Sequence, residues 1–238
     1  MIKQRHQTPY RCAVYFAPPP DSPWGQAGSH WLGRCAATGP VAQRLHVPGV
    51  SQEIFEACTA EPRRYGWHAT LKAPFALVPG QDLGSVLSWL QLLARELKAF
   101  TLPALQVAML GNFLALRPQQ ACLPLQDAAN ACVMRLQHLA LPLDDAELAR
   151  RRRAPLTTEQ DELLLQWGYP WVLNHFRFHF SLTGPLDKVD PGVREALLAA
   201  AVAHFGSLPA CRFDRLSLFV EPEKGVDFQL VEQVELRT

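Results

Sequence analysis

A chain of 238 residues that is 48% hydrophobic and 19% charged has neither the low hydrophobicity nor the high net charge of a disordered one, and it can bury a sizeable core. Its formal net charge of +1 excludes a global field strong enough to hold a long nucleic acid or an anionic membrane, but local charge can still bind a small phosphorylated substrate. The most apolar windows, 86–94 and 196–203, fall well short of the ~20 residues a membrane span needs.

The amino terminus, MIKQRHQTPYRC, is polar where an export signal would be apolar. The six cysteines are scattered, with no C-x-x-C pair, and read as reduced thiols used as small apolar residues. A cytoplasmic protein is expected. No cofactor and no metal are called for, since no His, Cys and carboxylate set has zinc-like spacing.

In chain order, residues 10–17 (YRCAVYFA) predict a strand ended by Pro18-Pro19-Pro20. The stretch 21–48 is thick with Gly, Pro and Ser around Trp24, Trp31 and Arg34, and only 40–46 suggests a short helix. Ser51 opens a capped helix that Pro62 is expected to end. Residues 65–75 (YGWHATLKAPF) predict a strand closed by Pro74. Residues 83–97 show a helical period, 105–110 and 113–116 a hairpin around Gly111-Asn112, and 123–139 another helix. After a charged segment with Arg150-Arg151-Arg152-Arg153, a helix is expected from about Thr158 to Gly168. A strand over 176–185, a helix over 193–205 and strands over 213–220 and 226–236 complete the chain. Strand, helix and hairpin thus recur in that order, which suggests an internal duplication. The expectation is an α+β fold of two related lobes, about 10–140 and 145–238, with antiparallel sheets backed by helices around a cleft.

The repeat carries a chemical motif. Residues 67–75 (WHATLKAPF) and 178–186 (FHFSLTGPL) align an aromatic, His, any residue, Thr or Ser, Leu, any residue, a small residue, Pro and a large apolar. Strand alternation puts His68, Thr70 and Lys72 on one face, and His179, Ser181 and Thr183 on the corresponding face. An imidazole titrates near neutrality and a hydroxyl can donate to a phosphate oxygen, so two such pairs could supply base, acid and oxygen donors for phosphoryl chemistry. One H-x-[ST] is a weak signal; two with matching flanks and a proline at the same offset are not. The other histidines (His6, His30, His46, His138, His175, His204) lack that symmetry and read as surface or packing residues.

These residues resemble the 2H phosphoesterases, defined by two H-x-[ST]-hydrophobic motifs on a duplicated α+β fold. RYGWHATLKAPF, ARRRRAPLT, LLLQWGYP and FRFHFSLTGPL are similar to the branch encoded with bacterial phosphonate-degradation genes. The resemblance implies His68 and His179 as catalytic histidines and Thr70 and Ser181 as phosphate-oxygen donors, Ser181 standing where Thr is commoner. It further implies cleavage of a cyclic phosphodiester or related phosphoester of a nucleotide or sugar phosphate, because phosphonate breakdown through a carbon–phosphorus lyase passes through ribosyl cyclic phosphates. From position alone, Lys72 and Arg177 are candidate phosphate ligands, Tyr15 a candidate stacking residue, and Arg150 to Arg153 either an anion-steering patch or a solvated helix face. Two other readings stay open: an RNA-end enzyme acting on 2′,3′-cyclic or 2′–5′ linked termini, and a non-catalytic nucleotide- or phosphate-binding module.

Overall fold

A computed structural model describes residues 8–42 and 44–238; the stretch before residue 8, with His6, lies outside the described residues. In order along the chain the principal elements are β1 (Arg11–Phe16), α1 (Pro23–Leu32), β2 (Arg34–Cys35), β3 (Gly39–Pro40), α2 (Gln52–Tyr65), β4 (Ala69–Phe75), α3 (Leu83–Glu96), β5 (Phe100–Thr101), β6 (Leu105–Leu110), β7 (Phe113–Pro118) and α4 (Leu123–Arg135). They continue with α5 (Asp145–Arg151), α6 (Thr158–Trp167), β8 (Phe180–Ser181), α7 (Pro191–Phe205), β9 (Arg212–Phe213), β10 (Arg215–Glu221) and β11 (Gln229–Glu235). The α+β fold with antiparallel sheet and backing helices is the one the sequence led us to expect.

Seven strands form one sheet in the order β11-β10-β1-β4-β8-β7-β6, antiparallel at every step. Two sets, β11-β10-β1-β4 and β8-β7-β6, meet where β4 and β8 share a single register pair, Ala69 with Phe180. The hairpin that follows β4 and α3 along the chain pairs with β8, while the hairpin that follows β8 and α7 pairs with β1. The sheet therefore divides differently from the chain: each half of it borrows its hairpin from the other half of the sequence.

The two faces of β1 show where the core lies. Cys12, Val14 and Phe16 join the main apolar core with residues of α1, α2, α3, α4 and α7, whereas Ala13, Tyr15 and Ala17 join a small cluster with Phe219 and Phe228. Alternation assigns these sets to opposite faces, so the helices cover one face and leave the other for the motif histidines.

Three local departures from expectation have physical causes. Helix α1 occupies a stretch that read as loop because of Gly25 and Gly28. A Cβ at Gly25 would sit 2.0 Å from the Pro19 carbonyl oxygen, and one at Gly28 would sit 2.0 Å from the Trp67 ring. These glycines serve close packing, and Ser22 at the N-cap with Gly33 in the left-handed conformation at the C-cap provides the ends. The described residues of 40–46 form no helix. Helix α2 runs through Pro62 to Tyr65: Pro62 cannot donate to the Cys58 carbonyl, which accepts the Gly184 N–H instead at 2.8 Å, joining α2 to the end of the second motif.

Candidate active site

Both motif histidines stand one residue before their strands and are held in the same way. His68 Nδ1 lies 2.8 Å from the Gly66 carbonyl oxygen, and His179 Nδ1 lies 2.7 Å from that of Arg177. A carbonyl can only accept, so each Nδ1 carries a proton and each Nε2 presents a lone pair when the ring is neutral. Extending the Ala69–Phe180 pairing by one residue on each side sets His68 opposite Ser181 and Thr70 opposite His179. Directly opposed side chains stand roughly 5 Å apart at Cβ and diagonal ones roughly 7–8 Å. The two imidazoles are thus a diagonal pair on one sheet face, with the hydroxyls at the other corners. Ala69 and Phe180, fully buried, anchor the pair from the core side.

Aromatic rings complete the setting. Tyr15 stacks on His68 with centroids 3.9 Å apart, Tyr65 lies 5.8 Å from it, and Phe113 lies 5.6 Å from His179. Trp67 stacks on Phe180 at 4.6 Å and on Phe205 at 5.3 Å, pinning the chain just ahead of His68. Burial lowers the His68 pKa to about 4, with the Gly66 carbonyl opposing and the His179 charge adding to the fall. Burial lowers His179 as well, against the pull of the Arg177 carbonyl. Both rings are therefore neutral at pH 7, and an anion bound between them would favour protonation of one.

The secondary candidates fare differently. Tyr15 is 1% exposed, so it supports His68 from beneath and has no face free for a substrate. Lys72 leaves the site because β4 bulges: Tyr15 pairs with Thr70, but the register has shifted by the time Val14 pairs with Lys72. Lys72 thus shares the helix-covered face with Val14, donating to Gln137 Oε1 at 2.8 Å and the Val133 carbonyl at 3.4 Å. The second motif breaks at the same offset. Strand β8 ends at Ser181, the Leu182 and Thr183 amides both donate to the Leu114 carbonyl, and Thr183 Oγ1 is buried, accepting from Leu114 N at 3.0 Å. Arg177 is exposed with its guanidinium 5.6 Å over the Trp171 ring; its contribution to the site is its carbonyl. Arg150 and Arg151 share Glu147, and Arg152 pairs with Asp161 at 2.6 Å, so these three arginines have acidic partners.

Among the other histidines, His204 meets the Ala27 carbonyl, His175 pairs with Glu159, and His138 packs edge-on against Trp89. The six cysteines are unpaired. No group of three or more His, Cys, Asp or Glu among the described residues is placed to hold a metal ion, and no helix among them is long and apolar enough to cross a membrane. Sequence reasoning missed Gly66, Tyr65 and Phe113. The first had a signal, a glycine two residues before His; the others arrive from a helix end and a hairpin and had none.

Residues 70–229 match a family model described as a protein of unknown function, DUF1045. The chain is 37% identical over 231 residues to a protein of Janthinobacterium sp. (strain Marseille) named ribose 1,5-bisphosphate phosphokinase PhnN, covering 96% of this chain and 51% of that protein. It is 42% identical over 227 residues to a protein of the same name from Laribacter hongkongensis (strain HLHK9), covering 95% and 52%. The chain thus spans about half the length of these curated relatives. Among solved structures, E. coli LigT complexed with 3′-AMP aligns at TM-score 0.43 and 16% identity, and its apo form at TM-score 0.45 and 14% identity, each alignment covering 97% of this chain and 99% of LigT.

Proposed function

Because the chain belongs to DUF1045, a family of proteins of unknown function, its chemistry has to come from its own site, and we propose that it is a phosphoesterase of the two-histidine type in which His68 and His179 act as acid and base on one phosphoryl group. The observation that carries this reading is the matched tethering of the two imidazoles, each Nδ1 bonded to the carbonyl two residues upstream, with both Nε2 atoms left for chemistry on one sheet face. In the reaction, one neutral Nε2 takes a proton from an attacking water as its oxygen bonds to phosphorus. The other ring, protonated once the phosphodiester anion is bound, gives its Nε2 proton to the leaving oxygen as the P–O bond breaks. Thr70 and Ser181 donate to the non-bridging oxygens, where charge develops.

The proposed substrate is a small cyclic phosphodiester of a nucleotide or sugar, and a ribosyl phosphate fits best. The relatives' name concerns a ribose phosphate. The 238 residues hold no G-x-x-x-x-G-K-[ST] stretch, so a phosphokinase of the P-loop kind would have to draw that loop from the half this chain does not cover. A role beside phosphonate breakdown is part of the same proposal. A turnover screen of ribosyl cyclic phosphates, 2′,3′-cyclic nucleotides and ADP-ribose-type cyclic phosphates tests it. Ring opening of the ribosyl compound with kcat/KM above the others is the expected result; binding of all of them without turnover of any would overturn it.

A further inference from the structure

On the opposite face of the sheet from the histidines, the buried ammonium of Lys72 borders a cavity that the chemistry above does not use. Lys72 is 3% exposed. Its Nζ spends two N–H bonds on Gln137 and Val133 and sits 5.1 Å over the Phe75 ring. No carboxylate among the described residues pairs with it, and the two thiols beside it, Cys12 and Cys132, are pushed upward by burial and stay neutral. Burial lowers Lys72 to about 8, so it is still charged at pH 7. A buried cation without a counter-ion is costly, and a bound anion would offset that cost.

The cavity beside it has a volume of about 110 Å³, lies between the end of β4, the stretch after α4 and the end of α6, and is walled mainly by apolar side chains that include Phe75, Leu143 and Leu165. At ~10–15 Å³ for one water, it holds several waters or a molecule of roughly five to eight heavy atoms. Trp167 lines it too, as part of the apolar wall. Leu165 is 58% exposed and Leu141 45% exposed, which leaves the rim apolar and open to solvent. Apolar walls and one cation match a monoanion with a short hydrocarbon body better than a phosphate, which would need more donors.

We propose that this cavity is a binding site for a small aliphatic monocarboxylate, its carboxylate held by Lys72 and its hydrocarbon part against Phe75, Leu143, Leu165 and the Trp167 ring. The site is separate from the histidine cleft. Calorimetric titration of hexanoate into the full chain at pH 7 tests it, with hexanol as the uncharged control. Lys72→Met and Leu165→Glu, which sets a like charge on the exposed rim, are the variants, each checked for folding by its melting curve, and a His68→Ala/His179→Ala double variant reports on the cleft. Saturable binding of hexanoate and none of hexanol is expected, weakened at least tenfold in Lys72→Met, severalfold in Leu165→Glu and unchanged in the double histidine variant. Should Lys72→Met fail to fold, the Leu165→Glu and hexanol results carry the test. No saturable heat with wild type, equal binding by the folded variants, or binding lost with the histidines would each overturn it.

Discussion

Gly66 has a backbone φ of 77°, and a Cβ there would lie 2.7 Å from the Ala36 Cβ, while its carbonyl fixes His68 Nδ1. Gly66→Ala is therefore expected to destabilise the fold by about 1–3 kcal/mol and to lower kcat by turning the His68 ring. A variant with unchanged melting temperature and unchanged kcat would contradict this placement. The hydroxyls act one donor at a time, so Thr70→Ala and Ser181→Ala should each cost kcat less than loss of a histidine, with little change in stability. The lowered imidazole pKa values carry a pH signature. The active free enzyme holds one proton on two rings whose pKa values both lie below 6.5, one at about 4. The profile of kcat/KM should accordingly peak below pH 6.5 and fall toward neutrality, and the kcat profile, measured with the anion bound, should lie at higher pH. A kcat/KM optimum above pH 7 would show that the two rings are not as desolvated as their burial requires.

At the scale of elements, the informative feature is the place where β4 and β8 stop alternating. Ser181 faces the site and Thr183 the interior, so equivalent changes at the two should part company. Ser181→Ala should lower turnover, whereas Thr183→Val should leave turnover intact and cost about 1–3 kcal/mol by stranding the Leu114 N–H. Chemical denaturation and steady-state kinetics on the same two proteins check both. The break also separates what the sequence disclosed from what it hid. His68, Thr70, His179 and Ser181 lie within two residues of one another in their motifs, where period-two alternation is reliable, and they do share a face. Lys72 lies beyond the bulge, where alternation no longer holds, and it points to the other face. Arg177 was extrapolated along a strand that starts only at Phe180. Helices α3, α4 and α7 were legible from their apolar period, but α1 was hidden by Gly25 and Gly28, whose reason for being glycine is contact with Pro19 and Trp67. Nothing local records such contacts.

Across the whole molecule, the exchange of hairpins between the two halves of the sheet means that the seam carrying the histidines is built from both ends of the chain, so site integrity and global folding should be lost together. His68 and His179 add an acid sensitivity whose sign is fixed. Their folded pKa values are depressed, so the unfolded chain binds more protons between the unfolded value near 6.5 and the folded values, and stability should be full above pH 6.5 and fall as the pH drops toward 4. Melting temperature against pH reads this directly, and a double His68→Ala/His179→Ala variant should show a shallower fall. Turnover is expected to survive EDTA, since the proposed acid, base and oxygen donors are all side chains; loss in EDTA with rescue by a divalent ion would contradict that mechanism. The most direct test of the central claim is kcat for His68→Ala and His179→Ala, each purified, folded and assayed across pH on the best cyclic phosphate. Each change is expected to lower kcat by roughly 10²-fold or more and to remove one limb of the bell-shaped profile, with substrate binding largely kept; near wild-type turnover in either variant would contradict it.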